Sequence, residues 1–264
     1  VPTAFGEKAV LRIFDAAQLL QSLDTLGFEP EQFELFRKAI AVPRGLVLVT
    51  GPTGSGKTTT LYSTLRHLAN PQLNIVTIED PIEMVLDDFN QIAVQRRIDL
   101  TFATALKYIL RQDPDIIMVG EIRDAETAEN AIQAALTGHL VLSTLHTNDA
   151  VTAVARLIEL GVKPYLLAST LNLVIAQRLL RRICPICKQE TALTVEEAEA
   201  LGLSLPDGAP RLRAYYGEGC VKCRQTGLYG RTGVFEVLAV GDKLRRLIKQ
   251  GADAHELLRT ARQD

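Results

Sequence analysis

The chain has 264 residues, of which 47% are hydrophobic, so it is long and apolar enough to fold around a substantial core. This composition excludes disordered and collagen-like chains. Lysine and arginine number 29 against 31 aspartate and glutamate residues, which gives a net charge of -2 and a pI near 6.2. Such a chain, with 5% aromatic residues and no tryptophan, is not typical of nucleic-acid-binding proteins.

The ends and the apolar stretches of the chain bear on membrane insertion. Its longest apolar stretch, residues 165–176, contains polar residues and is shorter than the roughly 20 residues that a membrane span needs. We therefore expect no transmembrane helix. The chain starts at Val1 without a basic and apolar leader, and its first residues resemble a strand, so we expect it to be a fragment of a longer protein.

Between residues 43 and 144, short apolar runs alternate with helical patterns, which predicts a parallel sheet flanked by helices. Short helices at 18–26 and 31–40 precede this region, with a boundary near Val42. Thr101 and Asp124 are candidate helix caps, and Thr194 with Glu197 forms a capping-box pattern. A helical segment from residue 242, broken at Gly251, ends the chain. The predicted buried strands are residues 46–50, 75–79, 116–119 and 140–144.

A glycine-rich motif follows the first of these strands and precedes a helix. Its residues are Gly51, Pro52, Thr53, Gly54, Ser55, Gly56, Lys57 and Thr58, with Thr59 next to it. They match the phosphate-binding pattern GxxxxGK[ST] in the context that the pattern requires. Backbone N–H groups would bind the phosphates, Lys57 would neutralise the β and γ phosphates, and the Thr58 hydroxyl would bind Mg²⁺. The motif predicts that ATP or GTP binds here.

Carboxylates follow two predicted strands at the edge where open parallel sheets bind ligands. Glu79 ends one strand, with Asp80 and Glu83 just beyond it. Glu121 follows the other in a pattern that resembles a Walker B strand, except that Gly120 replaces the usual magnesium-binding aspartate. Glu121 would serve Mg²⁺ through water or activate the attacking water itself. The spacing leaves open whether Glu79 or Glu121 is the general base.

Two histidines flank the strand at 140–144 and lie roughly 23 Å apart if the seven residues are extended. His146 follows the carboxyl end, where it could contact the γ-phosphate, with Thr144, Thr147 and Asn148 as expected hydrogen-bond partners. His139 precedes the strand and is better suited to a structural or subunit-contact role.

The four cysteines form two C-x2-C pairs, Cys184 with Cys187 and Cys220 with Cys223. Each pair can supply half of a tetrahedral site, and thiolates at this spacing favour a closed structural zinc site in a reducing compartment. A disulfide or redox pair is one alternative, although redox C-x2-C motifs are rarely doubled. A zinc ribbon that reads nucleic acid is another.

Several motifs together resemble the secretion ATPase superfamily of type II secretion and type IV pili. They are Thr77-Ile78-Glu79-Asp80-Pro81-Ile82-Glu83, residues 113–124, Thr137-Gly138-His139 to His146-Thr147-Asn148, and Ala176-Gln177-Arg178-Leu179. The first three are similar to the Asp box, the Walker B motif and the His box, in order. The tetracysteine insert resembles the assembly branch, and residues 226–236 are most similar to the type II secretion ATPase.

This resemblance implies an α/β fold with a RecA-like P-loop NTPase core, a tetracysteine zinc subdomain and a C-terminal helical segment. It implies a homo-hexamer on the cytoplasmic face of the inner membrane, with ATP, Mg²⁺ and Zn²⁺ as cofactors. The implied partners are an inner-membrane platform protein and the cytoplasmic domain of a bitopic secretion protein, with no nucleic acid. The expected regions are the end of an N-terminal domain with its linker (1–42), the ATPase domain (43–183), the zinc subdomain (184–223) and the C-terminal segment (224–264).

The resemblance also assigns arginines. Arg12 matches the family arginine that closes onto the γ-phosphate, a task that suits an always-charged guanidinium. Arg231 matches a nucleotide-side or interface position, as do Arg111, Arg123 and Arg156. For each of these four residues, a surface salt bridge is the alternative.

The function implied is ATP hydrolysis that powers pseudopilus assembly and protein export. A type IV pilus assembly ATPase is the first alternative. A RecA-like nucleic-acid motor with a zinc ribbon is the second, and a zinc-stabilised docking module with little activity of its own is the third.

Overall fold

The structure is a computed structural model that describes residues 2–4, 6–9, 21–204 and 211–262. Arg12, most of the strand expected at the start of the chain and residues 18–20 of the helix expected at 18–26 lie outside the described residues. The described part of that segment forms only a short 3-10 turn at Leu23–Thr25, so the predicted α-helix is wrong there. The chain divides into two compact units, one formed by Val1–Arg178 with Phe235–Asp264 and the other by Leu179–Val234. Within the described residues, no helix is both long and apolar enough to cross a membrane.

The strands and helices are numbered here in chain order. The strands are β1 (Pro2–Thr3), β2 (Gly6–Glu7), β3 (Gly45–Thr50), β4 (Ile75–Glu79), β5 (Asn90–Ala93), β6 (Ile116–Val119), β7 (Leu140–Leu145), β8 (Leu171–Ile183), β9 (Lys188–Leu193), β10 (Leu212–Gly217) and β11 (Leu228–Ala239). The α-helices are α1 (Pro30–Ala41), α2 (Lys57–Leu68), α3 (Phe102–Ile109), α4 (Ala125–Leu136), α5 (Ala150–Glu159), α6 (Pro164–Thr170), α7 (Val195–Ala200), α8 (Asp242–Gln250) and α9 (Ala254–Ala261).

A seven-stranded sheet forms the centre of the first unit, in the order β11-β8-β3-β7-β6-β4-β5. The pairs from β8 to β5 are parallel, and the four predicted strands are confirmed within one residue at each end. Thr50 pairs with both Leu145 and Ala176, so the carboxyl ends of β3, β7 and β8 meet at one edge. Every residue of β3, β4, β6 and β7 is buried, as expected for a parallel sheet covered on both faces.

Side-chain alternation along the strands builds a core on each face of the sheet. Ile117 and Val119 of β6 pack with α3, α4 and α5, whereas Ile116 and Met118 pack with α1 and α2. Each fully buried side chain of this size contributes roughly 1.5–3 kcal/mol of hydrophobic stabilisation. Packing on both faces holds the strands in place, and the glycine-rich motif and the carboxylates follow these strands at one edge of the sheet.

The predicted helix caps are confirmed. The carboxylate of Asp124 accepts a hydrogen bond from the Thr127 backbone N–H at 2.8 Å, and the hydroxyl of Thr101 accepts one from that of Thr104 at 3.2 Å. The capping box at α7 is present. The C-terminal helical segment is broken at Gly251, whose φ of 75° lies in the left-handed region that favours glycine.

The second unit contains the antiparallel pair of β9 and β10 together with the four cysteines. β8 enters this unit after Arg178, and β11 leaves it at Phe235.

Candidate functional site

The glycine-rich motif forms the turn from β3 into α2. Gly51 has a φ of 145°, and a Cβ atom on it would collide with the backbone carbonyl oxygen of Gln177, so only glycine fits there. Gly56 precedes the first residue of α2 in a left-handed conformation with a φ of 90°. The N-terminus of α2 and its free backbone N–H groups therefore face the loop, which is the geometry that binds phosphate.

Lys57 is buried against this loop. Its Nζ donates hydrogen bonds to the carbonyl oxygens of Gly51 at 2.8 Å and Pro52 at 3.1 Å. Burial lowers the pKa of Lys57, and the negative charge of Glu121 opposes that shift. Since β3 and β6 both pair in parallel with β7, Lys57 and Glu121, which follow these strands, lie at the same edge of the sheet. Thr58 and Thr59 lie half-buried on the first turn of α2.

Hydrogen bonds connect the elements on either side of the glycine-rich loop to neighbouring segments of the chain. The hydroxyl of Thr60 donates to the Gln177 Oε1 at 2.7 Å, and both side chains are buried. Thr50 and Thr147 share a hydroxyl hydrogen bond of 2.8 Å. The contact of Gln177 could not be predicted from the sequence, because the motif of residues 176–179 indicates a family but not a hydrogen-bond partner.

Glu121 lies beyond β6 with its side chain 12% exposed. Its Oε2 is 2.6 Å from the Nε of Arg123 and 3.4 Å from the Nε2 of His146. The preceding Gly120 donates its backbone N–H to the Ile78 carbonyl at 2.8 Å, and a Cβ atom there would lie 3.1 Å from that oxygen. A side chain at position 120 is therefore crowded, so this chain carries its nearby carboxylate one residue later.

Glu79 occupies a different environment, since it is only 4% exposed. Its Oε2 accepts a hydrogen bond from the Tyr62 hydroxyl at 2.5 Å. Its Oε1 accepts one from the Thr77 hydroxyl at 2.6 Å and another from the Gln91 Nε2 at 3.1 Å. These three donors are neutral, whereas Glu121 lies beside an arginine.

The two histidines lie at opposite ends of β7, as the sequence predicts. His146 is half-exposed beside Glu121. The expectation that Thr144 and Thr147 orient it is wrong, because Thr144 donates to the Gly120 carbonyl and Thr147 bonds to Thr50. His139 lies next to the carbonyl of Ala134 at 2.9 Å, in the last turns of α4.

The four other arginines predicted to lie at the nucleotide or at an interface occupy different parts of the chain. Arg123 contacts Glu121, and Arg156 forms an exposed ion pair with Glu159 at 3.1 Å. Arg231 lies on β11 in the second unit, and Arg111 follows α3 in the first.

The four cysteines converge in the second unit, where all their Sγ atoms lie within 4.8 Å of one another and none forms a disulfide. Three Sγ pairs are 3.7–3.8 Å apart. A tetrahedron with Zn–S bonds of about 2.3 Å has sulfur–sulfur edges of about 3.8 Å. Burial raises the pKa of the Cys187 thiol, whereas at Cys223 hydrogen bonds from backbone N–H groups outweigh burial and lower the pKa to about 6. The donor set fits zinc.

Comparison with known proteins places these motifs in a family. The family described as "Type II/IV secretion system protein" matches residues 1–264. The type IV pilus assembly ATPase TfpB of Acinetobacter baylyi is 51% identical over 257 residues, which cover 97% of this chain and 44% of that protein. The type II secretion system protein HxcR of Pseudomonas aeruginosa is 52% identical over 262 residues, covering 99% of this chain and 52% of that protein.

A solved structure agrees with these relatives. The crystal structure of the pilus retraction motor PilT with bound ADP matches with a TM-score of 0.63 and 32% identity, covering 91% of this chain and 58% of that one. The chain spans about half the length of the curated relatives that it matches. It belongs to the type II/IV secretion system protein family, in which type II secretion proteins and type IV pilus assembly ATPases both occur.

Proposed function

We propose that the chain is the ATP-hydrolysing core of a secretion or pilus-assembly motor. The observation that carries this proposal is the convergence of Lys57, at a phosphate-binding loop, with Glu121 at the same edge of a parallel sheet. The loop would bind the triphosphate through the backbone of residues 51–57, and Lys57 would exchange its carbonyl partners for phosphate oxygens. Thr58 and Glu121 would hold Mg²⁺, which would offset the phosphate charge.

The environments of the two carboxylates suggest how their roles divide. Glu121 lies beside Arg123 and His146 and interacts with Lys57, so it is suited to the phosphate and magnesium side. Glu79 has only neutral donors and a fixed orientation, so it is suited to accepting the proton of the attacking water. His146 would respond to the γ-phosphate through Glu121, and Arg12 would add charge to the nucleotide on closure.

The tetracysteine cluster would hold one zinc ion as a structural site. A small unit without a large apolar core is commonly stabilised in this way. We infer that the zinc subdomain is a platform for other components, as the family resemblance implies.

Assembly and location are also proposals. A homo-hexamer would let each subunit close on the nucleotide of its site and push on an inner-membrane platform protein. The cytoplasmic domain of a bitopic secretion protein would hold the motor on the inner membrane from the cytoplasm. The export of proteins through pseudopilus assembly is our first choice, and type IV pilus assembly is the alternative, since relatives of both kinds are about 50% identical. Complementation of strains that lack either motor would separate the two.

The Glu121→Gln variant tests this assignment. It removes a charge without changing shape, so we expect ATP to bind within a few-fold of the wild-type affinity while turnover falls about 100-fold or more. Calorimetric titration with ATP and a phosphate-release assay on the full chain measure the two quantities. Glu159→Gln, an exposed carboxylate on α5, is the matched control. Wild-type turnover by a folded Glu121→Gln variant would refute the role.

A further inference from the structure

Glu79 is a buried carboxylate that is held from three directions. Tyr62 reaches it from α2, Gln91 from β5, and Thr77 from its own strand. Burying a charged carboxylate is costly unless hydrogen bonds compensate for the water that it loses. Three fixed donors on a side chain that is 4% exposed meet that requirement.

The number of donors limits what else the carboxylate can bind. An ionised carboxylate has about four lone-pair positions for hydrogen bonds. Tyr62, Thr77 and Gln91 fill three of them, which leaves about one position with a fixed direction. A single water molecule bound there would be held in one orientation, which is what a general base for hydrolysis requires.

Tyr62 connects this carboxylate to the nucleotide-binding helix. It lies on α2 five residues after Lys57, and its hydroxyl also approaches the Met84 carbonyl at 3.3 Å. Burial and then the hydrogen bond to Glu79 raise the pKa of Tyr62, so the hydroxyl remains a donor at every physiological pH. The position of Glu79 is therefore tied to the helix that carries Lys57 and Thr58.

Gln91 binds the other oxygen of the same carboxylate, and its Nε2 also lies 3.3 Å from the Tyr62 hydroxyl. Its Nε2 donates to the Glu79 Oε1 at 3.1 Å and to the Met84 carbonyl at 3.0 Å. Its Oε1 accepts a hydrogen bond from the Leu86 backbone N–H at 2.7 Å. Because both ends of the amide are engaged, Gln91 has one orientation and makes no contact with the phosphate-binding loop among those described for it.

We propose that Tyr62 and Gln91 are positioning residues for ATP hydrolysis, which fix the carboxylate of Glu79 so that it presents one acceptor position to the attacking water. This inference rests on the proposed ATPase function. It concerns the rate of the chemical step rather than the binding of ATP, since neither side chain belongs to the phosphate-binding loop.

The test is the separation of kcat from KM in the Tyr62→Phe variant of the full chain. We expect kcat for ATP hydrolysis to fall about 10- to 100-fold, with KM and the ATP dissociation constant within about twofold of wild type. A merely structural role would loosen α2, which carries Lys57, and would raise KM instead. Tyr108→Phe, whose ring is 66% exposed, is the control and should match wild type.

The Gln91→Met variant keeps the inference open to refutation if Tyr62→Phe folds poorly. Gln91→Met keeps about the size of the side chain but removes its hydrogen bonds to Glu79, Met84 and Leu86, and it should lower kcat while KM stays unchanged. In a Glu79→Gln background, Tyr62→Phe should cost little more, because both changes act through one carboxylate. Full additivity of the Glu79→Gln and Tyr62→Phe effects on kcat, an unchanged kcat, or wild-type activity of Glu79→Gln would overturn the inference.

The Lys57→Ala variant separates this inference from the proposed function. If Lys57→Ala still hydrolyses ATP, the proposed function itself fails. If only the Tyr62 and Gln91 results fail, the positioning role alone is wrong.

Discussion

Replacing Lys57 with alanine is expected to abolish ATP hydrolysis. The Lys57 amine is buried against the carbonyls of Gly51 and Pro52, at the loop that would hold the triphosphate. Opposite unit charges about 4 Å apart at an effective dielectric constant near 20 interact by about 4 kcal/mol, so losing this cation should slow turnover by roughly 10³-fold.

The measurement is phosphate release at saturating ATP and Mg²⁺ by the full chain in its assembled state. Lys163→Ala, which removes an exposed lysine just before α6, is the matched control and should keep full activity. The thermal midpoint of each variant shows whether the fold is intact. Near-wild-type phosphate release by a folded Lys57→Ala variant would contradict the assignment of the loop.

The second large effect is expected from the cysteine cluster. Replacing Cys184 or Cys187 with serine should remove bound zinc and unfold Leu179–Val234, because the buried hydrophobic cluster described for this unit consists of cysteines. Structural zinc sites contribute about 10–16 kcal/mol of apparent binding free energy at pH 7, which becomes folding free energy when the apo form is unfolded.

Zinc content by mass spectrometry and limited proteolysis of the full chain measure this effect. One zinc per wild-type chain, none in the variants, and new cleavage within residues 179–234 are the expected results. Val221→Ser, in the same C-x2-C loop but 88% exposed, should keep both zinc and protection. A protease-resistant unit in a zinc-free Cys184→Ser variant would show that the cluster has no such structural role.

Much of the fold could be predicted because local signals determine it. Buried strands such as β4 and β6 are continuous apolar runs, and caps such as Asp124 lie next to the helices that they start. β8 was not identified as a strand, since Asn172 and Gln177 interrupt its apolar pattern and no turn signal precedes it. It is a strand because it pairs with β3, a contact that local sequence does not encode.

The candidate site shows the same limit. The phosphate-binding loop could be located from consecutive residues alone. The difference between Glu79 and Glu121 could not be predicted, because it depends on Tyr62 and Gln91, which lie 17 and 12 positions away from Glu79 on other elements. Likewise, the hydroxyls expected to orient His146 have other partners: Thr144 donates to the Gly120 carbonyl, and Thr147 shares a hydrogen bond with the Thr50 hydroxyl.

The central claim is that this chain hydrolyses ATP at the edge of the sheet where Lys57, Glu79 and Glu121 lie. The most direct test is a single-turnover measurement of phosphate release from ATP bound to the full chain, with and without Mg²⁺. One phosphate per bound ATP should be released when Mg²⁺ is present, and release should be slower by orders of magnitude without it. Stable binding of ATP with Mg²⁺ and no release of phosphate over many minutes would contradict hydrolysis at this site.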